Sequence, residues 1–547
     1  MIKSRHHALF VVLLLITTWT SSYATRRERL IESWQPLHYN VSLVLDDQLS
    51  EIVRATAEIT ILTLKDNVSL IDLDFGELAI DSIKVNNEAA QFERQPGLLN
   101  IKLSKAVPRN TRLVVMVAYH GRPKDGLIMS KDKAGKPSAV GDNWPDRLHH
   151  WIPCLDHPSA KATVSFTVTA PARALVVANG RLDRVDTLSG GVKTWSYTEG
   201  VPIPPYCMII AAGEFAQLAP PERDVTPLSY YVPVPDKDAA MLGFSTASPS
   251  LKFFSQTVAP YPYEKLALIV GATRFGGMEN SSAIVFSSNL FTSRPRSEPI
   301  SKVFNIRAGT VSLVAHEIAH QWFGDSVTES TWADLWLSEG FATYFAGLML
   351  QRYEGEEVFQ EYMKRTAETY FSYEQRTSSP IHDTETENLF SLLNANNYQK
   401  GAWVLHMLRS SLGDDAFFRG IRAYYSTHKN ATASTEDLRA ALEKASKQNL
   451  KEFFARWIYG AGHPRYELTW SWKQRKSRDG VLVITLNQTQ KEEAFLMAVP
   501  LEISTSKGVV RKSIKPSGKE TTLRLPLANR PTAVRLDPGD TILKETL

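Results

Sequence analysis

His316, Glu317 and His320 stand as His-Glu-x-x-His within the stretch Val311-Ser312-Leu313-Val314-Ala315-His316-Glu317-Ile318-Ala319-His320-Gln321-Trp322-Phe323. Two imidazoles four residues apart lie one turn above each other if that stretch is helical, so both can offer a ring nitrogen to one ion from a rigid support. That pairing suits Zn2+. A catalytic tetrahedral zinc needs one more protein donor and an open position, and Glu339, eighteen intervening residues further on, is the candidate. Glu317 sits at the edge of the same face, too awkwardly aimed to be a ligand, and is the general-base candidate. Zinc lowers the pKa of a bound water towards about 7, so a carboxylate beside it can take that proton and return it to a departing amine. The chemistry is amide hydrolysis by a metal-activated water.

These groups need two helices to position them. Val311, Val314, Ile318 and Trp322 recur at helical spacing, and Gly324 ends the first helix. The second apolar helix is read over Thr331 to Ala342, running back past the first so that the Glu339 carboxylate arrives beside the histidines. Before them, from Leu37 to about Leu218, short alternating segments such as Tyr39 to Leu45 and Glu58 to Leu62 read as an antiparallel β domain. The period turns helical near Leu251 and stays mostly so through Tyr459. Past Gly460-Ala461-Gly462-His463-Pro464, strands return at Glu467 to Trp472 and Val481 to Leu486, as expected of a small β-sandwich. The reading is a multidomain α+β chain: 1–24 a signal peptide, 25–243 the N-terminal β domain, 244–462 the zinc catalytic domain and 463–547 the C-terminal β-sandwich. No linker of low complexity separates them, so the parts are expected to pack together.

With 43% hydrophobic and 22% charged residues over 547 positions, the chain is an ordinary globular one with room for several cores. Lys3 and Arg5 precede an uncharged apolar run from Ala8 to Trp19, followed by Ser22-Tyr23-Ala24 in the small-x-Ala form of a signal-peptidase site. The run is short of the roughly 20 residues that cross a bilayer. The expectation is an exported protein, periplasmic or secreted, with no integral membrane segment after cleavage near Ala24. Loss of Lys3 and Arg5 takes the formal charge from +4 to about +2, too weak a field to attract phosphate backbones, which argues against nucleic acid as a partner. Cys154 and Cys207 permit one internal disulfide or two buried thiols.

Three motifs in order, Gly276-Gly277-Met278-Glu279-Asn280, His316 to His320 with Glu339, and Asn397-Tyr398-Gln399-Lys400-Gly401, resemble the aminopeptidase N family of zinc metallopeptidases over nearly the whole mature chain. Trp151 to Pro158 and Ala211 to Phe215 add to the likeness. The resemblance implies a thermolysin-like catalytic domain, one Zn2+ per chain, and peptide substrates with a free N-terminus. It also implies that Glu279 binds the substrate α-amino group and that the Tyr398 hydroxyl helps stabilise the oxyanion. A buried carboxylate paired with an ammonium would set the first residue at a fixed distance from the metal, leaving only the first peptide bond in reach. Gly276 and Gly277 permit close backbone approach, suiting a substrate that pairs with this segment as an added strand.

Two departures stand out. The family's Gln or Glu about ten residues before the Cys154 position, which assists amine binding, is replaced by Asn143-Trp144-Pro145. Asp142, another carboxylate, or Glu279 alone is left for that task. The large helical domain that covers the active site in many relatives has no counterpart after the sandwich, so a more open cleft is expected. A thermolysin-type endopeptidase shares the metal site but not the Gly276 to Asn280 motif. Epoxide chemistry of the leukotriene-hydrolase kind rests on the single residue Gly277, and a non-catalytic peptide-binding protein on the same fold would have no need of the full residue set.

Overall fold

The computed structural model describes residues 29–221, 226–291, 300–475 and 479–547. The signal-peptide reading of residues 1–24 lies outside them. The N-terminal region is built on an eight-stranded sheet whose centre is Trp34–Leu45, paired antiparallel with Ile52–Thr63 and parallel with Ala162–Pro171. That parallel pair departs from a purely antiparallel domain: the chain first builds one flank of the sheet, with Ile52–Thr63, Ala79–Val85 and Arg112–Gly121, and only then returns at Ala162 on the other side of its first strand. The burial of Trp34–Leu45 alternates as a two-residue period demands, with Tyr39, Val41 and Leu43 turned inward.

The segment expected to be mostly helical contains a sheet as well. Leu266–Gly271, Gly277–Met278 and Ala283–Ser287 join Phe215–Leu218 and Leu228–Pro233 in five strands, with Gly277–Met278 at one edge. The two longer members are continuous apolar runs, buried on both faces, and periodicity does not distinguish such runs from buried helix. Beyond them the helices dominate. Ala308–His320 buries Val311, Val314, Ala315 and Ile318, and Trp336–Glu354 is buried at every position from Trp336 to Leu350, as befits a helix at the centre of its domain. This second helix begins later than its apolar pattern suggests, because Trp332–Asp334 forms a separate 3-10 turn. The Asp334 carboxylate holds that turn by accepting from the backbone N–H and hydroxyl of Thr435 (3.1 and 2.7 Å).

The C-terminal strands form two sheets of four and three, the faces of a sandwich. One apolar core runs without a break from Leu228 through the helices to Leu501 and Leu543 of the sandwich, so the catalytic region and the C-terminal sheets share an interior. A smaller cluster including Trp144, Cys207, Ile269, Met278 and Trp332 joins the N-terminal region to the five-stranded sheet. Both cysteines are buried free thiols. No helix among the described residues is long and apolar enough to cross a membrane.

Candidate metal centre and active site

The histidine helix points two ring nitrogens at one spot. His316 Nε2 and His320 Nε2 are 3.0 Å apart, and Glu339 Oε2, arriving from the neighbouring helix, lies 3.3 and 3.4 Å from them. Zinc bonds of about 2.0–2.1 Å at tetrahedral angles would hold ligand atoms about 3.3 Å apart, so this triangle has the right size for the ion. Glu339 Oε2 is buried and forms no hydrogen bond among the described residues, an orphaned acceptor that a cation would satisfy. Glu279, Glu317 and His320 form a second candidate group, but it shares His320 with the first and offers only one imidazole, a poorer match to zinc's preferred donors.

The tautomer is fixed from behind. His320 Nδ1 lies 3.1 Å from the Phe323 carbonyl and 3.0 Å from Ser338 Oγ, so a proton on Nδ1 serves those oxygens and leaves the Nε2 lone pair for a metal. Gly324 makes this approach feasible: its φ is +121°, and a Cβ there would sit 2.3 Å from Ser338 Oγ. Burial alone would raise the Glu339 carboxyl, but the two imidazoles hold it down at about 2, ionised as a ligand must be.

A cavity of about 440 Å³ opens over this triangle, and Gly276, Gly277, Met278, Glu279, Thr343, Tyr362, Tyr398 and Gln399 are among the residues that line it. Glu317 is buried in its wall, where desolvation pushes its carboxyl well above the ordinary range against the pull of His320, the condition of a strongly basic carboxylate. Glu279 is likewise pushed up to about 7 by burial, partly opposed by His320 and reinforced by Glu339. A carboxyl in that state favours ionisation when a cation arrives to pair with it. The Tyr398 ring stacks on His316, centroids 5.9 Å apart and planes 5° from parallel, and its hydroxyl titrates high through burial and the facing Glu339 carboxylate.

Gly277 is needed for a specific reason. A Cβ built there would fall 2.3 Å from Glu317 Oε1 and 2.4 Å from its Cδ, so the strand edge passes directly over the Glu317 carboxylate. In Gly277→Ala one of the two must move by about an ångström, and such a misplacement costs about 100-fold in turnover. Gly276 has more room, its Cβ meeting only Leu313 at 3.5 Å, so Gly276→Ala should lose less. Steady-state kinetics at equal metal content check the pair, and equal losses would contradict the steric account.

Asn280 is the motif residue that the structure leaves out of the cavity lining. It is fully buried, its amide donating to the Met278 carbonyl at 3.3 Å, so it shapes the turn rather than facing a ligand. Gln321, one residue past His320, was not singled out by its sequence context. Its amide nitrogen donates to the Glu279 carbonyl and to Asp325, both at 2.7 Å, while its oxygen accepts from the Ser282 N–H (2.8 Å) and the Tyr261 hydroxyl (2.9 Å). It clamps the Glu279 loop onto the histidine helix; the available signal was a lone amide in an otherwise apolar segment.

The groups near the Asn143-Trp144-Pro145 departure are committed elsewhere. Asp142 pairs with Arg147 at 3.1 Å and accepts the Arg274 N–H at 3.0 Å, and the Asn143 amide is spent on Trp151 (2.8 Å) and Met208 (2.5 Å). Trp144 reaches the cavity with no acceptor to offer, so of this stretch no side chain adds a carboxylate to the one Glu279 presents there.

Comparison with known proteins agrees with this geometry. The Peptidase M1 N-terminal domain matches residues 35–207 and the Peptidase family M1 domain matches residues 243–457. Aminopeptidase 2 of Candida albicans is 24% identical over 527 residues, 92% of this chain and 55% of the relative. Aminopeptidase M1 of Arabidopsis thaliana is 30% identical over 337 residues, covering 60% and 37%, and glutamyl aminopeptidase of Rattus norvegicus is 28% identical over 342 residues, covering 61% and 36%. The chain thus spans about half the length, or less, of the curated relatives it matches. With the N-terminal and catalytic parts of one family found in order along most of its length, and their characteristic donors gathered in one cavity, the chain belongs to peptidase family M1, the aminopeptidase N family of zinc metallopeptidases.

Proposed function

We propose that the chain is a zinc-dependent aminopeptidase that hydrolyses the first peptide bond of peptides with a free α-amino group. The observation that carries this reading is that Glu279, Glu317, Tyr398 and the His316–His320–Glu339 triangle line one cavity of about 440 Å³. A cavity that small, with a buried carboxylate at Glu279 beside the metal ligands, suits the terminal residue of a chain rather than its middle.

His316, His320 and Glu339 would hold the zinc, which when bound supplies a Lewis acid and brings the pKa of a water towards about 7. Glu279 pairs with the substrate ammonium and so sets which carbonyl reaches the reacting position. Gly277 and Met278, on the edge of the five-stranded sheet, offer backbone groups to an extended substrate. Glu317 takes a proton from the attacking water and delivers it to the departing amine nitrogen, the peptide C–N bond breaking as the new C–O bond is completed. Tyr398 donates its hydroxyl hydrogen to the oxygen of the attacked carbonyl as charge gathers there.

Dialysis against a chelator should abolish release of the first residue from a short peptide, and one equivalent of zinc should restore it. Activity that survives full metal removal would contradict the reading. We further propose that the protein is exported after cleavage near Ala24; N-terminal sequencing of material recovered outside the cytoplasm should then begin at Thr25, and an intact Met1 there would oppose it.

A further inference from the structure

A second cavity, of about 650 Å³, adjoins the catalytic one and shares Leu393, Tyr398 and Gln399 with it. Its far wall is one face of the helix Glu356–Glu374: Tyr362 belongs to the catalytic cavity, Thr369, Ser372 and Tyr373 follow along the next one, and Arg376 stands just past the helix end. The spacing of three and four residues keeps these groups on one side. The two cavities therefore make one groove that leaves the reacting centre along this helix.

Arg376 is what distinguishes the end of the groove. It is exposed, its backbone N–H is fixed on the Tyr373 carbonyl at 3.0 Å, and among the described residues its guanidinium has neither an ion pair nor a hydrogen bond. The contrast with the rest of the neighbourhood is instructive. Arg365 on the same helix pairs with Glu361 at 2.8 Å, and Arg409 pairs with Asp414 at 2.8 Å. Gln399, at the junction of the two cavities, likewise has an uncommitted side-chain amide among the described residues. An amide midway and an unpaired cation at the end are the groups that an extended peptide with a terminal carboxylate would use.

We propose that this groove binds the part of the substrate beyond the scissile bond and that Arg376 pairs with the C-terminal carboxylate of an oligopeptide. The inference rests on the aminopeptidase reading and deepens it, naming the substrate class as short peptides with both ends free. The length follows from geometry. Fourteen residues from Tyr362 to Arg376 rise about 20 Å at helical pitch, and an extended peptide covers that span in about six residues. Glu279 and Tyr362 line the same cavity, so peptides of about this length or longer are the ones to test, the ammonium on Glu279 and the carboxylate on Arg376.

The test uses three hexapeptides with free amino termini: one sequence as the free acid and as its C-terminal amide, and the same amide with its last residue replaced by glutamate. An exposed ion pair contributes at most about fivefold in affinity, so wild-type kcat/KM should favour the free acid over the amide about three- to fivefold, through KM and not kcat. Raising ionic strength should shrink the ratio. In Arg376→Glu the ratio should invert, and in Arg376→Lys it should persist in part. Because each ratio is taken within one enzyme, a change in folded fraction cancels. A wild-type ratio of one, or an unchanged ratio in Arg376→Glu, would overturn the proposal while leaving aminopeptidase activity intact. Restoration by the glutamate-ending amide would show that any acidic side chain serves and would overturn the C-terminal assignment. If no peptide loses its first residue, both this inference and the aminopeptidase reading fall.

Discussion

A Glu317→Gln enzyme should keep its zinc and lose its turnover, with kcat falling about 10³-fold, inside the 10²–10⁴ range typical of general-base removal. Glutamine is nearly isosteric, so the fit under the Gly277 backbone, where Glu317 Oε1 occupies the space a side chain would need, is kept. What is lost is the only ionisable group of that residue, and with it the ability to accept a proton from water. The carboxyl is buried and uses its basicity in a place where solvent is sparse, so no bulk base should substitute. Metal content by elemental analysis and kcat on a short peptide check the two halves together. A variant that turned over at wild-type rate, or one that lost the metal in parallel, would show that Glu317 is not the base.

Tyr398→Phe should lower kcat about 10²- to 10³-fold with KM nearly unchanged, the signature of a hydrogen bond made in the transition state and not in the ground state. The ring position should survive, since its stacking on His316 and its burial do not involve the hydroxyl. The expected pattern separates this role from a packing one: a tyrosine that merely filled space would leave kcat intact when replaced by phenylalanine. If instead KM rose and kcat held, Tyr398 would be a substrate-binding residue and another donor would have to serve the oxyanion.

The candidate metal centre was legible in the sequence because its geometry is nearly forced. Two histidines four apart on a helix have one relative position available, and the apolar residues Val311, Val314 and Ile318 declare the helix. Glu339 was legible as a residue type at the right distance, although its helix starts at Trp336 and not at Thr331. That offset depends on the Asp334 contact with Thr435, a hundred residues away, which no local pattern encodes. In the five-stranded sheet Leu228–Pro233 reads as a strand from sequence, whereas Leu266–Gly271 and Ala283–Ser287 do not: they are short uniform apolar runs, and nothing in their period separates buried strand from buried helix. The parallel pairing of Ala162–Pro171 with the first strand is a topological fact with no sequence signature.

Within the site, residues whose work is to face a ligand were easier to identify than those that hold others in place. Glu279 was found through its motif, whereas Gln321, which fixes the Glu279 loop to the histidine helix, sits beside His320 and carries no pattern of its own. Asn280 shows the converse. As part of the same motif it was expected at the substrate, yet its side chain is turned into the loop it stabilises. The gap left by Asn143-Trp144-Pro145 could be closed only by tracing where Asp142 and Asn143 spend their hydrogen bonds.

In the proposed mechanism Glu279 and the His316–His320–Glu339 triangle together measure out one residue from a free amino terminus. The most direct measurement of this compares a short peptide with its N-acetylated twin, with and without chelator, reading the products by mass. The account predicts that the free peptide alone loses its first residue and that chelation stops it. Internal cleavage of the acetylated peptide would contradict the amine anchor and make the site that of an endopeptidase.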